Sequence, residues 1–196
     1  MKKSNLRLSD IPSSLAIKQE IRRHRYQNRY RRILKSTIFS LVTVAAFAVL
    51  VATLWMPVLQ IYGESMTPTL DKDEIVLSIK TDDFKTGDVI AFYHGNKLLV
   101  KRCIACPADW VNIDSAGNVF INNIVLDEPY LTEKSIGTCD IDLPYQVPEN
   151  KYFVMGDHRE TSIDSRTTTV GCISTDEIVG KIVFRIFPFD KIGFIQ

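Results

Sequence analysis

The chain has 196 residues, 45% of them hydrophobic, which is enough for one domain with a real core plus one extra segment and excludes a disordered or collagenous chain. The formal net charge of +1 hides an asymmetry, because residues 1–35 hold eleven Lys and Arg against Asp10 and Glu20, a net of +9. The other 161 residues, with 13 bases and 21 acids, carry −8, so the two parts face different surroundings.

Between them lies Ile38–Leu59, 22 residues with no charge. A helix of that length spans about 30 Å of hydrocarbon, which predicts a transmembrane anchor over 36–60 after a basic leader over 1–35. Its polar members, Ser40, Thr43 and Thr53, are small hydroxyls able to bond back to helix carbonyls, and Trp55 suits the distal interface. A removable signal peptide is disfavoured by the long leader, the long apolar run and the poor cleavage site at Leu54-Trp55-Met56-Pro57. A core helix apolar on every face is rare in so small a domain. The positive-inside rule puts the N-terminus in the cytoplasm and residues after about 60 on the outer face. The Arg and Tyr of the leader would also suit RNA, but beside a membrane helix, contact with anionic lipid is the simpler reading.

From Ile61 onward, short β-branched and aromatic runs alternate with turn clusters. Strands are expected at 74–79, 88–93, 97–102, 118–121, 151–155 and 182–186, with Lys85-Thr86-Gly87-Asp88, His94-Gly95-Asn96 and Ser115-Ala116-Gly117-Asn118 between them. This predicts a mainly β, antiparallel domain over 61–196. Residues 127–150 have few strand signals and three of the eight prolines, and read as an irregular insertion on the surface.

Two residue types in this domain point to chemistry. A serine hydroxyl is a poor nucleophile at neutral pH and needs an adjacent base. Ser65 follows the apolar run in Gly63-Glu64-Ser65-Met66-Thr67-Pro68-Thr69, and Lys101 lies in a strand beside Leu98, Leu99 and Val100. A lysine serves as base only where burial lowers its pKa. Taken alone, Lys101 also reads as a solvated strand-edge lysine.

Motif and order resolve that choice. Gly63-x-Ser65-Met66-x-Pro68-Thr69, Gly87-Asp88-Val89-Ile90-Ala91-Phe92, Lys101-Arg102-Cys103-Ile104-Ala105-Cys106-Pro107-Ala108-Asp109 and Gly156-Asp157-His158-Arg159-Glu160-Thr161-Ser162-Ile163-Asp164-Ser165-Arg166 closely resemble the boxes of bacterial type I signal peptidases. The resemblance covers roughly residues 38–190, with the anchor in its proper place. It implies an antiparallel β-sheet catalytic domain of that type behind a single N-terminal transmembrane helix. It also implies a membrane-bound serine endopeptidase that cleaves signal peptides from exported preproteins with a Ser/Lys dyad.

By that resemblance Ser65 is the nucleophile, its backbone N–H an oxyanion donor, and Lys101 the base. Ser162 orients the lysine amine, and Asp164 and Arg166 form a structural ion pair. Asp157 is a further supporting carboxylate. Gly63 stands where many members have a hydroxyl-bearing serine, so the oxyanion site relies on backbone donors. His158 replaces a commoner Asn and is read as a substitution, with no role as a base. Ala105 and Ala108 replace glycines, and Thr167 to Val170 make a longer spacer before Gly171. The implied partners are preprotein signal peptides, the lipid bilayer and the secretion translocon, with no nucleic acid, no metal and no cofactor.

Cys103 and Cys106 form a C-x-x-C. Residues three apart point to opposite faces of an extended strand, so a bridge between them needs a turn. No second C-x-x-C or histidine pair accompanies them for zinc, and no βαβ pattern for a thioredoxin-like site. Their pairing, and that of Cys139 and Cys172, stays open. The alternative function is a non-catalytic or specialised homologue acting in pilus or surface-protein assembly. A penicillin-binding enzyme needs Ser-x-x-Lys, and the third residue after Ser65 is Pro68.

Overall fold

The structure, a computed structural model, describes residues 14–195. Leader residues 1–13, among them Lys2, Lys3, Arg7 and Asp10, and the side chain of Trp55 lie outside it. The described chain divides into two units, one up to Val51 and one from Ala52 onward.

The first unit is helical. Helix α1 runs from Ser14 to Trp55, so residues 14–35 of the basic leader share one helix with the apolar run. The reason is local: no Gly or Pro occurs from Ser14 to Met56, and Pro57 then disfavours helical backbone at Met56. This helix is long and apolar enough to cross a membrane by length and composition. Thr43 Oγ1 donates to Phe39 O at 2.8 Å, which satisfies its hydroxyl within the helix. The helix stops short of Leu59, because Val58–Gln60 instead forms strand β1, antiparallel to β2.

The second unit is antiparallel β throughout its ladders. The remaining strands are β2 (Ile75–Ile79), β3 (Val89–His94), β4 (Lys97–Ala105), β5 (Trp110–Ile113), β6 (Val119–Ile121), β7 (Ile124–Val125), β8 (Tyr145–Gln146), β9 (Lys151–Met155), β10 (Ile173–Ser174), β11 (Ile178–Phe187) and β12 (Gly193–Phe194). The larger sheet has the order β1-β2-β11-β3-β4-β9-β10 with β12 on β11, and the smaller one β7-β6-β5-β8. Each of the six expected runs holds a strand. The others are mostly two to four residues long, too short for alternation to register.

Strand β3 is buried on both faces. Val89 and Ala91 pack with Met66, Leu70, Val76 and Ile182, whereas Ile90 and Phe92 pack with Phe84, Cys103, Tyr152 and Val154. A third cluster joins the two sheets through Ile104, Ala105, Val111, Val119, Phe153 and Met155. Residues 127–150 are irregular except for β8, but they do not lie simply on the surface. Val147 is buried in the cluster between the sheets, and Glu128 is buried as well. An arginine partner makes burial of that carboxylate tolerable.

Phe153 fills the space between the sheets, so Phe153→Ala should cost about 3–5 kcal/mol in urea unfolding of the purified chain. Ile124→Ala, at an exposed sheet edge, should cost within about 0.5 kcal/mol.

Candidate active site

The Ser65 loop is anchored by its apolar neighbours. Met66 and Leu70 are 2% and 0% exposed, and they plug the cluster beneath β3. Thr67 N–H donates to Glu64 O at 3.2 Å and Leu70 N–H to Met66 O at 2.9 Å, which closes the turn around Ser65. At the far end of the loop, Arg185 of β11 donates to Thr69 O and pairs with the buried Glu74. Burial pushes the Glu74 carboxyl above its usual range, and Arg185 opposes that shift.

Lys101 lies in the middle of β4, opposite Ile90 in the ladder, and is only 4% exposed. Its Nζ is 2.7 Å from Ser65 Oγ and 2.8 Å from Ser162 Oγ. Burial lowers its pKa from 10.5 to about 8, with Asp164 opposing that shift and Arg166 adding to it. An amine that is substantially neutral near pH 8, in contact with a hydroxyl, is what a serine nucleophile needs from a base.

Gly156 sets the spacing between the two serines. A Cβ there would lie 2.3 Å from Ser162 Oγ and 2.5 Å from Ser65 O. The next turn adds a further tie, because His158 N–H donates to Ser65 O at 3.0 Å. The His158 side chain is exposed.

Three buried arginine–carboxylate pairs hold the 156–166 segment. Arg166 forms a fork with Asp164, at 2.8 Å from both Nε and Nη2, and donates to Ile136 O and Arg159 O. Burial raises the Asp164 pKa, but Arg166 together with the Gly156 N–H and Ser162 outweighs it and holds the carboxyl below the usual range. Arg102, next to Lys101, forms a second fork with Asp157 at 3.0 and 2.7 Å. Its guanidinium also stacks 3.8 Å over the Tyr130 ring, and Thr69 Oγ1 donates to the same Asp157. Arg159 pairs with Glu128 and donates to Gly156 O at 3.0 Å.

The sequence-derived residues Ser65, Lys101, Ser162, Asp164, Arg166 and Asp157 therefore meet through these contacts. Gly63 does so only through the chain. It is exposed, and a Cβ there would meet nothing within 4 Å. Sequence reasoning quoted Thr69, Arg102, Gly156 and Arg159 within the boxes but gave them no role, and it did not single out Glu128 or Tyr130. The arginines carried a signal, since Arg102 and Arg159 each stand beside a residue already singled out. No group of His, Cys, Asp and Glu able to hold a metal occurs among the described residues.

A serine and a buried amine on an antiparallel β framework define a candidate serine hydrolase. Residues 34–187 match the family model described as signal peptidase, peptidase S26. The chain belongs to that family. It is 39% identical over 152 residues to signal peptidase IB of Staphylococcus aureus (strain N315), covering 67% of this chain and 78% of that one. It is 36% identical over 176 residues to signal peptidase I of Bacillus licheniformis, covering 81% and 93%. A solved signal peptidase I from Enterococcus faecalis V583 matches with a TM-score of 0.42 and 26% identity, over 50% of this chain and 96% of that one.

Gly156→Ala places a Cβ against Ser162 Oγ and Ser65 O, so it should separate Ser65 from Ser162 and cost about 1–3 kcal/mol in urea unfolding. Peptidase activity of the folded protein should fall by about 100-fold.

Proposed function

We propose that this chain is a membrane-anchored serine endopeptidase that removes signal peptides from exported preproteins, with Ser65 as nucleophile and Lys101 as base. The observation that carries the reading is the Lys101 amine, buried and within 2.8 Å of two serine hydroxyls. With Nζ neutral, the Ser65 O–H donates to its lone pair and an N–H donates to Ser162 Oγ, which orients the amine.

Ser65 Oγ attacks the scissile carbonyl as its proton passes to Lys101. The Ser65 backbone N–H stabilises the developing oxyanion, a donor type worth about 3 kcal/mol. Lys101 then returns the proton to the leaving amine and activates the water that frees the acyl-serine. Asp164–Arg166 and Asp157–Arg102 act as supports that keep these groups in register.

An unoccupied strand edge supports peptide binding. Strand β9 pairs with β4 only at Arg102, Cys103 and Ala105, so among the described residues Lys97–Lys101 has β3 on one side and no strand on the other. A groove of about 430 Å³ runs along this edge, between Leu59–Gly63 and Lys97–Lys101, and reaches Ser65 and Lys101. An extended peptide adds there by backbone hydrogen bonds, with Ile61, Leu99 and Val100 offering apolar contact. Short side chains near the cut are the family's preference, and we carry them over to this groove.

Helix α1 is the proposed anchor, with the basic end cytoplasmic and the β unit on the outer face. Anionic lipid at the basic end and the secretion translocon are the proposed membrane partners.

Ser65→Ala and Lys101→Ala should each lower cleavage of a model preprotein by roughly 10⁴-fold or more while the fold stays intact; full processing by either would exclude the assignment. Activity of the unmodified enzyme should rise with pH through about 8, as Lys101 loses its proton, and a flat profile would contradict a lysine base. Protease added to intact cells should digest the β unit and spare the leader. A protected β unit would reverse the orientation.

A further inference from the structure

The ladder between β4 and β9 contains an irregularity that brings two thiols together. Cys103 pairs with Val154 and Ala105 with Phe153, so β4 advances two residues where β9 advances one. The extra residue is a β-bulge at Ile104, and it resets the alternation of side chains. Consequently Ile104 and Ala105 both enter the cluster between the sheets, while Cys103 and Cys106 both pack with Phe84 and Tyr152 on the other face. Three residues apart in a regular strand, they would have pointed opposite ways.

The two side chains lie on one face and in one cluster, and no disulfide joins them; the Cys103 thiol donates to Ala105 O at 3.9 Å and the Cys106 thiol to Phe84 O at 3.6 Å. Their environments differ. Cys103 is fully buried, with its backbone N–H and C=O fixed by Asp88 O and Gly87 N–H at 2.7 and 2.8 Å. Cys106 is half-buried at the start of a turn, where Asp109 N–H donates to its carbonyl. The neighbouring Cys103 thiol, aided by Thr86, lowers the Cys106 pKa to about 7 against the effect of burial, and the same neighbour together with burial pushes the Cys103 thiol well up. The half-buried thiol thus stands at the turn and the fully buried one lies behind it in β4.

We propose that Cys103 and Cys106 form a thiol–disulfide exchange site that takes small-molecule disulfides of the glutathione type, with Cys106 as the attacking thiol and Cys103 as the resolving one. The Cys106 thiolate attacks one sulfur of the small disulfide, whose S–S bond breaks to release one thiolate and leave a mixed disulfide on Cys106. Cys103 then gives up its proton and attacks Cys106 Sγ, and the second small thiolate leaves. Two protein thiols are oxidised by two electrons as one small disulfide is reduced to two thiols. The site is independent of Ser65 and Lys101.

The test uses the full chain in detergent, equilibrated with oxidised and reduced glutathione, then alkylated and mapped by mass spectrometry. A single Cys103–Cys106 disulfide should form, with Cys139 and Cys172 alkylated as in the reduced protein. Cys103→Ala should instead retain glutathione on Cys106, and its Cys106 should react with iodoacetamide at pH 7 roughly ten-fold more slowly than in the unmodified chain. In Cys106→Ser the sheltered Cys103 should not react. A disulfide from either residue to Cys139 or Cys172 would overturn the proposal, as would a Cys106 that stays free in both the unmodified chain and Cys103→Ala.

Discussion

A lysine amine taken out of water is the constraint around which the β unit is built. Its pKa falls from 10.5 to about 8, which corresponds to about 3 kcal/mol between its protonation states. Between about pH 8 and 10.5 the unfolded chain binds a proton that the folded chain has released, so native stability rises with pH across that window. Below about pH 8 both states are protonated, and the folded state bears the full cost. A fold that keeps such a group at neutral pH must compensate elsewhere, through its core and the contacts around Lys101.

The contacts that fix Ser162 against Lys101 lie in the segment from Gly156 to Arg166. Buried ion pairs are rarely net stabilisers, but loss of one partner leaves a strongly destabilising orphan charge. The three arginine forks therefore act less as glue than as a requirement that every partner be in place. Arg102 ties that segment to the strand of the lysine, Arg159 ties it to Glu128 of the irregular 127–150 region, and Arg166 closes it on itself. The irregular region is thereby part of the frame that positions Ser162 against Lys101.

Much of this was legible in the sequence, and the gaps have physical causes. Alternating apolar runs revealed the long strands, and the ordered boxes pointed to Ser65, Lys101 and Ser162. Strand β1 was hidden because Val58-Leu59-Gln60 continues an apolar stretch, and only Pro57 marks the change from helix to strand. The role of Gly156 was not legible because its importance is the absence of a Cβ between two serines, which depends on contacts remote in sequence. Glu128 read as a surface acid because its partner lies 31 residues away. The longer spacer at Thr167 to Val170 is accommodated locally, with Asp140 accepting from Thr168 N–H. Ala108 holds a φ of 70°, a left-handed backbone that glycine would adopt with less strain.

The most direct test is a titration of Lys101 itself in the full chain in detergent, followed by NMR of its side-chain carbon next to Nζ and assigned by loss of the signal in Lys101→Met. A midpoint near pH 8 is expected. A midpoint at the ordinary lysine value of 10.5 would contradict a buried amine at this site.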